Sequence, residues 1–230
     1  MRDPRIAVII PALDEEEAIG RVIAEIPRPP GDVIVVDNGS RDRTAEVARR
    51  AGARVVREPR RGYGQACLAG IAAAPDVDVY VFLDGDASDH PEQLPEVVGP
   101  ILRDDADLVI GSRTLGRRAP GAHPWHAVLG TRLCVALMNR LLGTRATDLG
   151  PFRAVSAAGL RRLGMSDRSF GWTVEMQVKA ARHGLRVVEV PVDYRRRIGR
   201  SKVSGTLGGS LRAGARILGV IARHALSRAG

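Results

Sequence analysis

The sequence predicts an α/β fold with a mostly parallel sheet flanked by helices. Short apolar runs alternate with helical patterns through the first half of the 230-residue chain, which is typical of βαβ units. A chain of this length can bury a sizeable core as one domain. After residue 119 a connection rich in Gly, Pro and His ends the regular alternation, and no long linker follows it. We therefore expect one domain over residues 1–204 and a C-terminal extension over residues 205–230.

Each predicted strand is a short run of mainly apolar residues bounded by turn-forming residues. These runs cover residues 6–11, 33–37, 54–56, 79–84, 108–111 and 186–192. The predicted helices carry apolar residues at helical spacing between Gly or Pro stop signals. They begin near residues 14, 44, 64 and 91, continue with residues 128–142, and end with a Gly-interrupted helix that reaches residue 226.

Charge and composition limit the classes of partner. A net charge of +9 and a sequence pI near 10.8 favour anionic partners, such as nucleic acid, phosphorylated small molecules or lipid headgroups. Only 3% of the residues are aromatic, so rings that stack on bases are scarce and we expect no nucleic-acid partner. Cys67 and Cys134 form no zinc or disulfide pattern, which fits a cytoplasmic protein. Arg interrupts every long apolar stretch, so no bilayer-spanning segment is predicted.

Two carboxylates follow the apolar run that precedes residue 84. Asp84 and Asp86 flank Gly85 where ligands bind in open α/β sheets, beyond the carboxyl ends of the strands. Carboxylates at this spacing can hold Mg²⁺ or Mn²⁺, and such a cation bridges the oxygens of a diphosphate. Asp and Gly are also common in turns after strands, but a second acidic strand end favours a metal site here.

That second acidic strand end is Asp37, which is followed by Asn38 and Gly39. Asp37 can accept hydrogen bonds from a nucleobase edge, and Gly39 lets a ligand come close. Helix capping is the alternative role for an acidic residue here, although Ser40 and Asp42 compete for it. Together with the end of the first strand, these segments predict three strand ends around one crevice.

Four segments resemble motifs of the inverting nucleotide-sugar glycosyltransferases of family 2, which have the GT-A fold. They are IPALDEE at residues 10–16, VDNGSRDRT at 36–44, RGYGQA at 61–66 and DGD at 84–86. Asp14 and Asn38 depart from the usual Asn and Asp of the first two motifs. The resemblance implies a hexosyltransferase that binds a nucleotide-diphosphate sugar, usually UDP-linked, with Mg²⁺ or Mn²⁺.

The resemblance also implies which residues bind the donor. Asp37 would hold the base, the glycines of the third motif would lie near the diphosphate, and the DGD segment would bind the metal. The implied donor-binding residues are Pro11, Leu13, Glu15, Asp37, Gly39, Gly62, Gly64, Asp84 and Gly85. The implied metal ligands are Asp84 and Asp86.

Three later segments resemble the dolichyl- and polyprenyl-phosphate sugar synthases of this family. They are GSR at residues 111–113, TDLGPFR at 147–153, and EVP at 189–191 with RIGRSK at 197–202. The resemblance implies a polyprenyl-phosphate acceptor, which calls for cations that grip phosphate. The candidate cations are those that stand in the motifs or in clusters of basic residues: Arg113, Arg117, Arg195, Arg197, Arg200 and Lys202.

The chain departs from that subgroup at two places. Ser88, Asp89 and His90 stand where relatives often have Gln-His-Pro, so Ser88 or Asp89 would substitute for the Gln or leave its place to water. Gly150 and Pro151 replace a pair of small residue and Gly, which changes the acceptor loop.

The acceptor decides whether the transfer needs a general base. An alcohol must lose its proton to a carboxylate, for which Asp148 and Glu175 are the catalytic candidates. A phosphate monoester is largely a dianion at neutral pH, because its second pKa is about 6, and attacks without a base. It needs cations instead, and Arg113 is the catalytic candidate among them. Glu175 fits equally well as a carboxylate at the start of a helix.

The C-terminal extension has an amphipathic pattern. At helical spacing, Arg212, Arg216 and Arg223 share one side, and apolar residues such as Leu211 and Leu218 gather on the other. Such a helix can lie at the inner face of the cell membrane, which would make the protein peripheral, or it can pack on its own domain.

Three other functions remain as alternatives. The first is a glycosyltransferase with a soluble hydroxyl acceptor. The second is a phosphohydrolase with Asp84 as nucleophile. In such enzymes the two aspartates normally follow the first strand of the chain and precede Thr or Val, whereas here three strands come first and Ser88 follows. The third is a nucleic-acid-binding module, which explains the charge but not the acidic strand ends.

Overall fold

The strands and helices follow the predicted order. The computed structural model describes residues 3–27, 31–122, 124–199 and 219. The strands in this part of the chain are β1 (Ile6–Ala12), β2 (Val33–Asp37), β3 (Arg54–Arg57), β4 (Val79–Phe82), β5 (Leu108–Ser112), β6 (Arg153–Ser156) and β7 (Val187–Pro191). The helices are α1 (Ile19–Glu25), α2 (Thr44–Arg50), α3 (Tyr63–Ala73), α4 (Leu94–Leu102), α5 (Trp125–Leu142), α6 (Ala157–Leu163) and α7 (Trp172–Arg182).

The strands of the described residues form one mixed sheet in the order β3-β2-β1-β4-β6-β5-β7. All neighbouring pairs are parallel except those of β6, which runs antiparallel to β4 and to β5. The predicted α/β class with a mostly parallel sheet is therefore confirmed. Because β2, β1 and β4 are parallel neighbours, the loops after Ala12, Asp37 and Phe82 open at one edge, as the three acidic strand ends predict.

The core lies on both faces of the sheet. In β1, Val8 and Ile10 face α1, α2 and α4, while Ala7 and Ile9 face α3, α6 and α7. Both sets are buried, which explains why the parallel strands are nearly continuous apolar runs. A smaller third cluster joins α5 to α7. None of the described helices has both the length and the apolar character needed to cross a bilayer.

Helix α1 begins five residues later than predicted, at Ile19 rather than Asp14. Asp14 has a φ of 52°, which no helix accommodates. The backbone N–H groups of Asp14 and Glu15 donate to Ser40 Oγ (3.0 Å) and Thr44 Oγ1 (2.8 Å). Bonds to the loop after β2 thus replace the predicted first turn of the helix, and they fix the rim of the crevice.

The second half of the chain differs most from the prediction. The sequence does not predict β6 or α6, because the four residues of β6 are too few to show a period and include an arginine, Arg153, that is completely buried. Helix α5 begins at Trp125, three residues before its predicted start. The extension 205–230 and its predicted helix lie outside the described residues, apart from residue 219.

Candidate active site

A cavity of about 590 Å³ opens at the edge where β1, β2 and β4 end. Eight of the predicted site residues line it: Pro11, Leu13, Glu15, Gly62, Asp84, Gly85, Asp86 and Arg197. Residues for which the sequence predicts no role in the site also line it. Asn38, Arg61 and Tyr63 stand inside the quoted motifs, and Ser169 and Phe170 stand outside them. The predicted residues Asp37, Gly39, Gly64, Arg113, Asp148 and Glu175 are not among its lining residues. Arg200 and Lys202 lie outside the part of the chain that the structure describes.

The cavity floor is the acidic loop, which we define as residues 84–89. Asp86 is buried, and its Oδ1 accepts hydrogen bonds from the backbone N–H (2.9 Å) and Oγ (2.5 Å) of Ser88. Ser88 therefore orients Asp86, a role that the sequence does not predict. Asp84 Oδ1 accepts a hydrogen bond from the Tyr63 hydroxyl at 3.1 Å. Burial raises the pKa of Tyr63 well above its ordinary value, which keeps the hydroxyl a donor.

Negative charge is crowded in the acidic loop. Burial, reinforced by the charge of Asp86, raises the pKa of Asp84 to about 7. Asp89 is also buried. Among the described residues, neither of its carboxylate oxygens accepts a hydrogen bond. Burial and the charges of Asp84 and Asp86 raise the pKa of Asp89 well above its ordinary value. A cation bound in this loop would relieve the repulsion.

The carboxylate oxygens of the acidic loop suit one hard divalent cation. Asp84 and Asp86 present carboxylate oxygens to the cavity, and Mg²⁺ and Mn²⁺ prefer such ligands. Among the described residues, no group of three or more Asp, Glu, His or Cys side chains is arranged to hold a metal. The protein would thus supply two carboxylates, and diphosphate oxygens and water would complete the shell, which is the usual way Mg²⁺ is bound beside phosphates.

Arg197 lies in the basic segment, which we define as residues 194–202, and it lines the cavity. Its guanidinium contacts Asp86 Oδ2 through Nη1 at 3.1 Å and Glu15 Oε1 through Nη2 at 3.2 Å. The backbone N–H of Ile198 donates to Asp86 O (2.9 Å), so this part of the basic segment lies directly beside the acidic loop. Two other predicted cations have carboxylate partners elsewhere: Arg195 pairs with Glu25, and Arg117 pairs with Asp193.

The two glycines of the RGYGQA segment admit a second loop, residues 166–170. A Cβ on Gly62 would lie 2.0 Å from the carbonyl oxygen of Arg168, and Gly62 also has a φ of 145°. A Cβ on Gly64 would lie 2.0 Å from the carbonyl oxygen of Asp167. The 166–170 loop in turn supplies Ser169 and Phe170 to the cavity. Gly64 therefore shapes the cavity indirectly, by allowing this loop to come close.

Asp37 lies at the cavity edge but faces its own turn. Its Oδ1 accepts the backbone N–H of Ser40 at 2.9 Å, which closes a local turn. This is not the helix cap considered as the alternative, because α2 begins at Thr44, whose N–H donates to Asp42 Oδ1. Asn38 lines the cavity instead. The Asn38 amide donates to the carbonyls of Glu58 (2.9 Å) and Arg60 (2.8 Å) and accepts from Gly62 N–H (2.8 Å). The Asn that replaces the family's second Asp therefore fixes the Gly-rich loop.

Arg113 and Asp148 form a buried bidentate ion pair. Arg113 donates from Nε to Asp148 Oδ2 and from Nη2 to Oδ1, both at 2.8 Å, and Asp148 is 1% exposed. The backbone N–H groups of Arg113 and Leu149 also donate hydrogen bonds to the Asp148 carboxylate. Burial would raise the pKa of Asp148, but the hydrogen bonds and charge of Arg113 outweigh it and hold the pKa below its usual value. The Arg113 guanidinium also stacks 5.1 Å from the Tyr194 ring centre.

Glu175 holds the 166–170 loop. Its carboxylate accepts hydrogen bonds from the N–H (3.1 Å) and Oγ (2.6 Å) of Ser166 and from the N–H of Asp167 (2.7 Å), and it pairs with Lys179 at 2.8 Å. Burial would raise the pKa of Glu175, but the hydrogen bonds from Lys179 and Ser166 lower it. In this structure Glu175 is a positioning residue for the loop, and no contact places it against the cavity.

Residues 7–164 match the family described as glycosyl transferase family 2, and this match covers more than half of the sequence. The chain belongs to glycosyl transferase family 2. This glycosyltransferase is 43% identical over 217 residues to an uncharacterized glycosyltransferase of Mycobacterium tuberculosis, which covers 92% of this chain and 95% of that protein. It is 34% identical over 210 residues to the dolichyl-phosphate hexose transferase of Haloferax volcanii, which covers 89% of each chain.

The fold of this glycosyltransferase also matches a solved structure. The glucosyl-3-phosphoglycerate synthase of Mycobacterium tuberculosis, crystallised with Mn²⁺, uridine diphosphate and phosphoglyceric acid, has a TM-score of 0.79 and 26% identity. The match covers 99% of this chain and 80% of that one. The predicted enzyme class and the predicted GT-A fold are both confirmed. The two relatives differ in the acceptors that their names give, one a lipid phosphate and the other a soluble phosphorylated acid.

Proposed function

We propose that this glycosyltransferase moves a hexose, with inversion, from a nucleotide-diphosphate sugar to a polyprenyl phosphate. The donor that we propose is UDP-linked, and it would bind in the 590 Å³ cavity with Mg²⁺ or Mn²⁺ at Asp84 and Asp86. When bound, the cation would act as a Lewis acid on the departing diphosphate. Tyr63 and Ser88 would orient the two carboxylates, because each donates a hydrogen bond to one of them.

The acceptor proposal rests on the hydrogen bonds that occupy the two candidate bases, Asp148 and Glu175. Both oxygens of Asp148 are held by Arg113, and the Glu175 carboxylate is held by Ser166, Asp167 and Lys179. The pKa of each is lowered, which makes each a weaker proton acceptor. A phosphate dianion needs no proton acceptor, so this arrangement favours it over an alcohol. The resemblance to the dolichyl-phosphate hexose transferase supports the same acceptor.

Cations beside the cavity would receive the acceptor phosphate. Arg197 already lies against Asp86 and Glu15, and its fork of N–H donors suits a phosphate. Arg200 and Lys202 follow it in the basic segment, and we propose that they join it. Arg113 is paired with Asp148 and does not line the cavity, so we do not place it against the acceptor. Membrane association of the protein at the inner face, through the extension 205–230, belongs to the same proposal.

The test is transfer of label from radiolabelled UDP- and GDP-sugars to polyprenyl phosphate presented in detergent. The expected result is metal-dependent label in the solvent-extractable lipid, which would stay absent with EDTA or with an unphosphorylated polyprenol. Unlabelled lipid together with rapid donor turnover in the presence of a soluble acceptor would overturn the proposal. A Glu92→Gln variant serves as a control for changes of charge, because Glu92 is exposed and its carboxylate pairs with His90.

A soluble phosphorylated acceptor is the second candidate. It is favoured by the similarity to the glucosyl-3-phosphoglycerate synthase over nearly the whole chain. The same assay distinguishes the two when phosphoglyceric acid replaces the lipid. Label in a water-soluble anionic product would support this candidate, and it would require a proton acceptor that Asp148 and Glu175 do not supply in the present arrangement.

A further inference from the structure

The outward side of α5 is apolar, although this helix lies on the surface. Trp125, Leu129 and Leu133 follow one another at intervals of four residues and are 75%, 60% and 62% exposed. Residues four apart share one face of a helix, so these three form a continuous stripe. The opposite side of α5 already packs on α7 through Cys134 and Met138. Because both sides are apolar, α5 has the composition of a helix that is covered on both sides.

The charged side chains of α5 and of the chain segments on either side of it are all positive. The chain has no Asp or Glu between Asp107 and Asp148, a span that contains six arginines. Two of them, Arg132 and Arg140, are exposed on α5 itself. At helical spacing they fall within the same arc of about 100° as the apolar stripe. Long arginine side chains can bury their stems beside apolar residues and keep the guanidinium at a polar boundary.

This combination matches the interface of an anionic lipid bilayer. Exposed Trp and Leu enter the boundary between headgroups and acyl chains, and flanking arginines contact anionic headgroups. In sequence the stripe follows Arg113, with residues 114–124 between them.

Two other occupants fit the charges less well. A second copy packed stripe to stripe would bring Arg132 and Arg140 of both copies into a desolvated contact in which α5 supplies no carboxylate. The C-terminal segment 194–230 contains nine Lys and Arg residues and no Asp or Glu, so it has no acidic side chain to pair with those arginines either.

We propose that the stripe formed by Trp125, Leu129 and Leu133, with Arg132 and Arg140 beside it, is a docking surface for an anionic lipid bilayer. The inference rests on the proposed lipid acceptor, which such a surface would bring within reach of a protein without a described membrane-spanning helix. It goes further by assigning the contact to α5, in addition to whatever the extension 205–230 contributes.

The chain offers its own reporter for a test. It has two tryptophans, of which Trp125 is exposed and Trp172 is completely buried. The full chain is mixed with phosphatidylcholine vesicles that contain phosphatidylglycerol but no polyprenyl phosphate. We expect a blue shift of the emission and quenching by brominated lipid, both weaker with pure phosphatidylcholine. The Trp125→Phe variant should still sediment with vesicles but lose the shift, because Trp172 is already buried.

Matched variants locate the contact. The double variant Leu129→Gln, Leu133→Gln should weaken vesicle binding by about tenfold or more, since two exposed leucines would no longer enter the lipid. Leu102→Gln is the control, because Leu102 is 48% exposed at the end of α4 and should leave binding unchanged. Circular dichroism and the thermal midpoint of each variant verify its fold.

Three outcomes would overturn the inference. The first is vesicle binding without any change in Trp125 emission, which would place the contact elsewhere in the chain. The second is equal binding by the Leu129/Leu133 and Leu102 variants. The third is a dimer in sedimentation velocity that the Leu129/Leu133 variant abolishes, which would assign the stripe to a second copy. The detergent assay for lipid glycosylation does not use a bilayer, so its failure would count against the proposed function and not against this surface.

Discussion

The acidic loop and the Arg113–Asp148 pair both carry buried charge, but they differ in how that charge is compensated. Arg113 and Asp148 neutralise each other, whereas Arg197 pairs with Asp86 and no ion pair among the described residues reaches Asp84 or Asp89. Asp148 has four hydrogen bonds from Arg113 and Leu149, and its pKa is lowered. Asp84 and Asp89 have few donors, and burial and mutual repulsion raise their pKa values. A region whose charges are compensated within the fold serves the fold. A region whose charges are left uncompensated is arranged for a ligand that brings positive charge.

The strongest test of this comparison is Asp86→Asn. If the acidic loop binds the metal, turnover should fall by roughly 10³-fold or more, since the lost metal contact stabilises the leaving diphosphate by several kcal/mol. The thermal midpoint should change little. Steady-state kinetics with saturating Mn²⁺ measure the effect, with Glu92→Gln as the charge control. Turnover within a few-fold of wild type would remove Asp86 from the site.

The Asp148→Asn variant tests the compensated region. Removing one charge of a buried pair leaves the Arg113 guanidinium unpaired, so we expect a loss of unfolding free energy of about 3–5 kcal/mol. Denaturant unfolding measures this loss. A general base would give the reverse pattern, with nearly unchanged stability and a rate that falls at least about a hundredfold. That result would revive the alcohol acceptor.

The Asp84→Asn variant should stabilise the metal-free protein above pH 7. The folded-state pKa of Asp84 is about 7 and its ordinary value is 3.8, so the folded state binds more protons between these values. Stability of the wild type should therefore fall as pH rises from about 4 to 7, and the variant should lack this part of the decline. We expect a difference on the order of 4 kcal/mol at pH 8, because the pKa rises by about three units and each unit contributes about 1.4 kcal/mol.

Thermal unfolding of both proteins in EDTA, at several pH values, measures the difference. Added Mn²⁺ should stabilise the wild type and leave the variant nearly unaffected, since the variant lacks one of the two carboxylates. A variant that is less stable than wild type at pH 8 without metal would show that Asp84 is compensated after all.

Glu175→Gln should have the smallest effect. The amide keeps the size of the side chain but loses the Lys179 charge pair and one acceptor for Ser166 and Asp167. If Glu175 positions the 166–170 loop, KM for the donor should rise a few-fold, which corresponds to about 1 kcal/mol, while kcat stays within the same range. Steady-state kinetics separate the two constants. A large fall in kcat with unchanged KM would instead identify Glu175 as a catalytic group.

The predictable part of the site is the part next to parallel strands. The DGD segment, residues 84–86, follows β4, and the end of β1 supplies Pro11 and Leu13. Because β1 and β4 are parallel neighbours, their ends bring these residues to the same edge of the sheet. Tyr63 and Asn38 stand inside the quoted motifs, yet their contacts with Asp84 and with the Gly-rich loop depend on distances that no spacing rule gives. Asp37 ends β2, as predicted, but its side chain closes a local turn and does not line the cavity.

The sequence by itself determined the α/β class, the strand ends that meet, and the family, because apolar periodicity and short motifs are local properties of the chain. The tertiary structure alone decided which polar groups are compensated. Arg113 and Asp148 are 35 positions apart, and Arg197 lies 111 positions from Asp86 and 182 from Glu15, so no local pattern pairs them. It also decided that β6 enters the sheet antiparallel with Arg153 inside, since that depends on backbone carbonyls that fold around the guanidinium. Electrostatic roles depend on burial and on distant partners, and both exist only once the chain has packed.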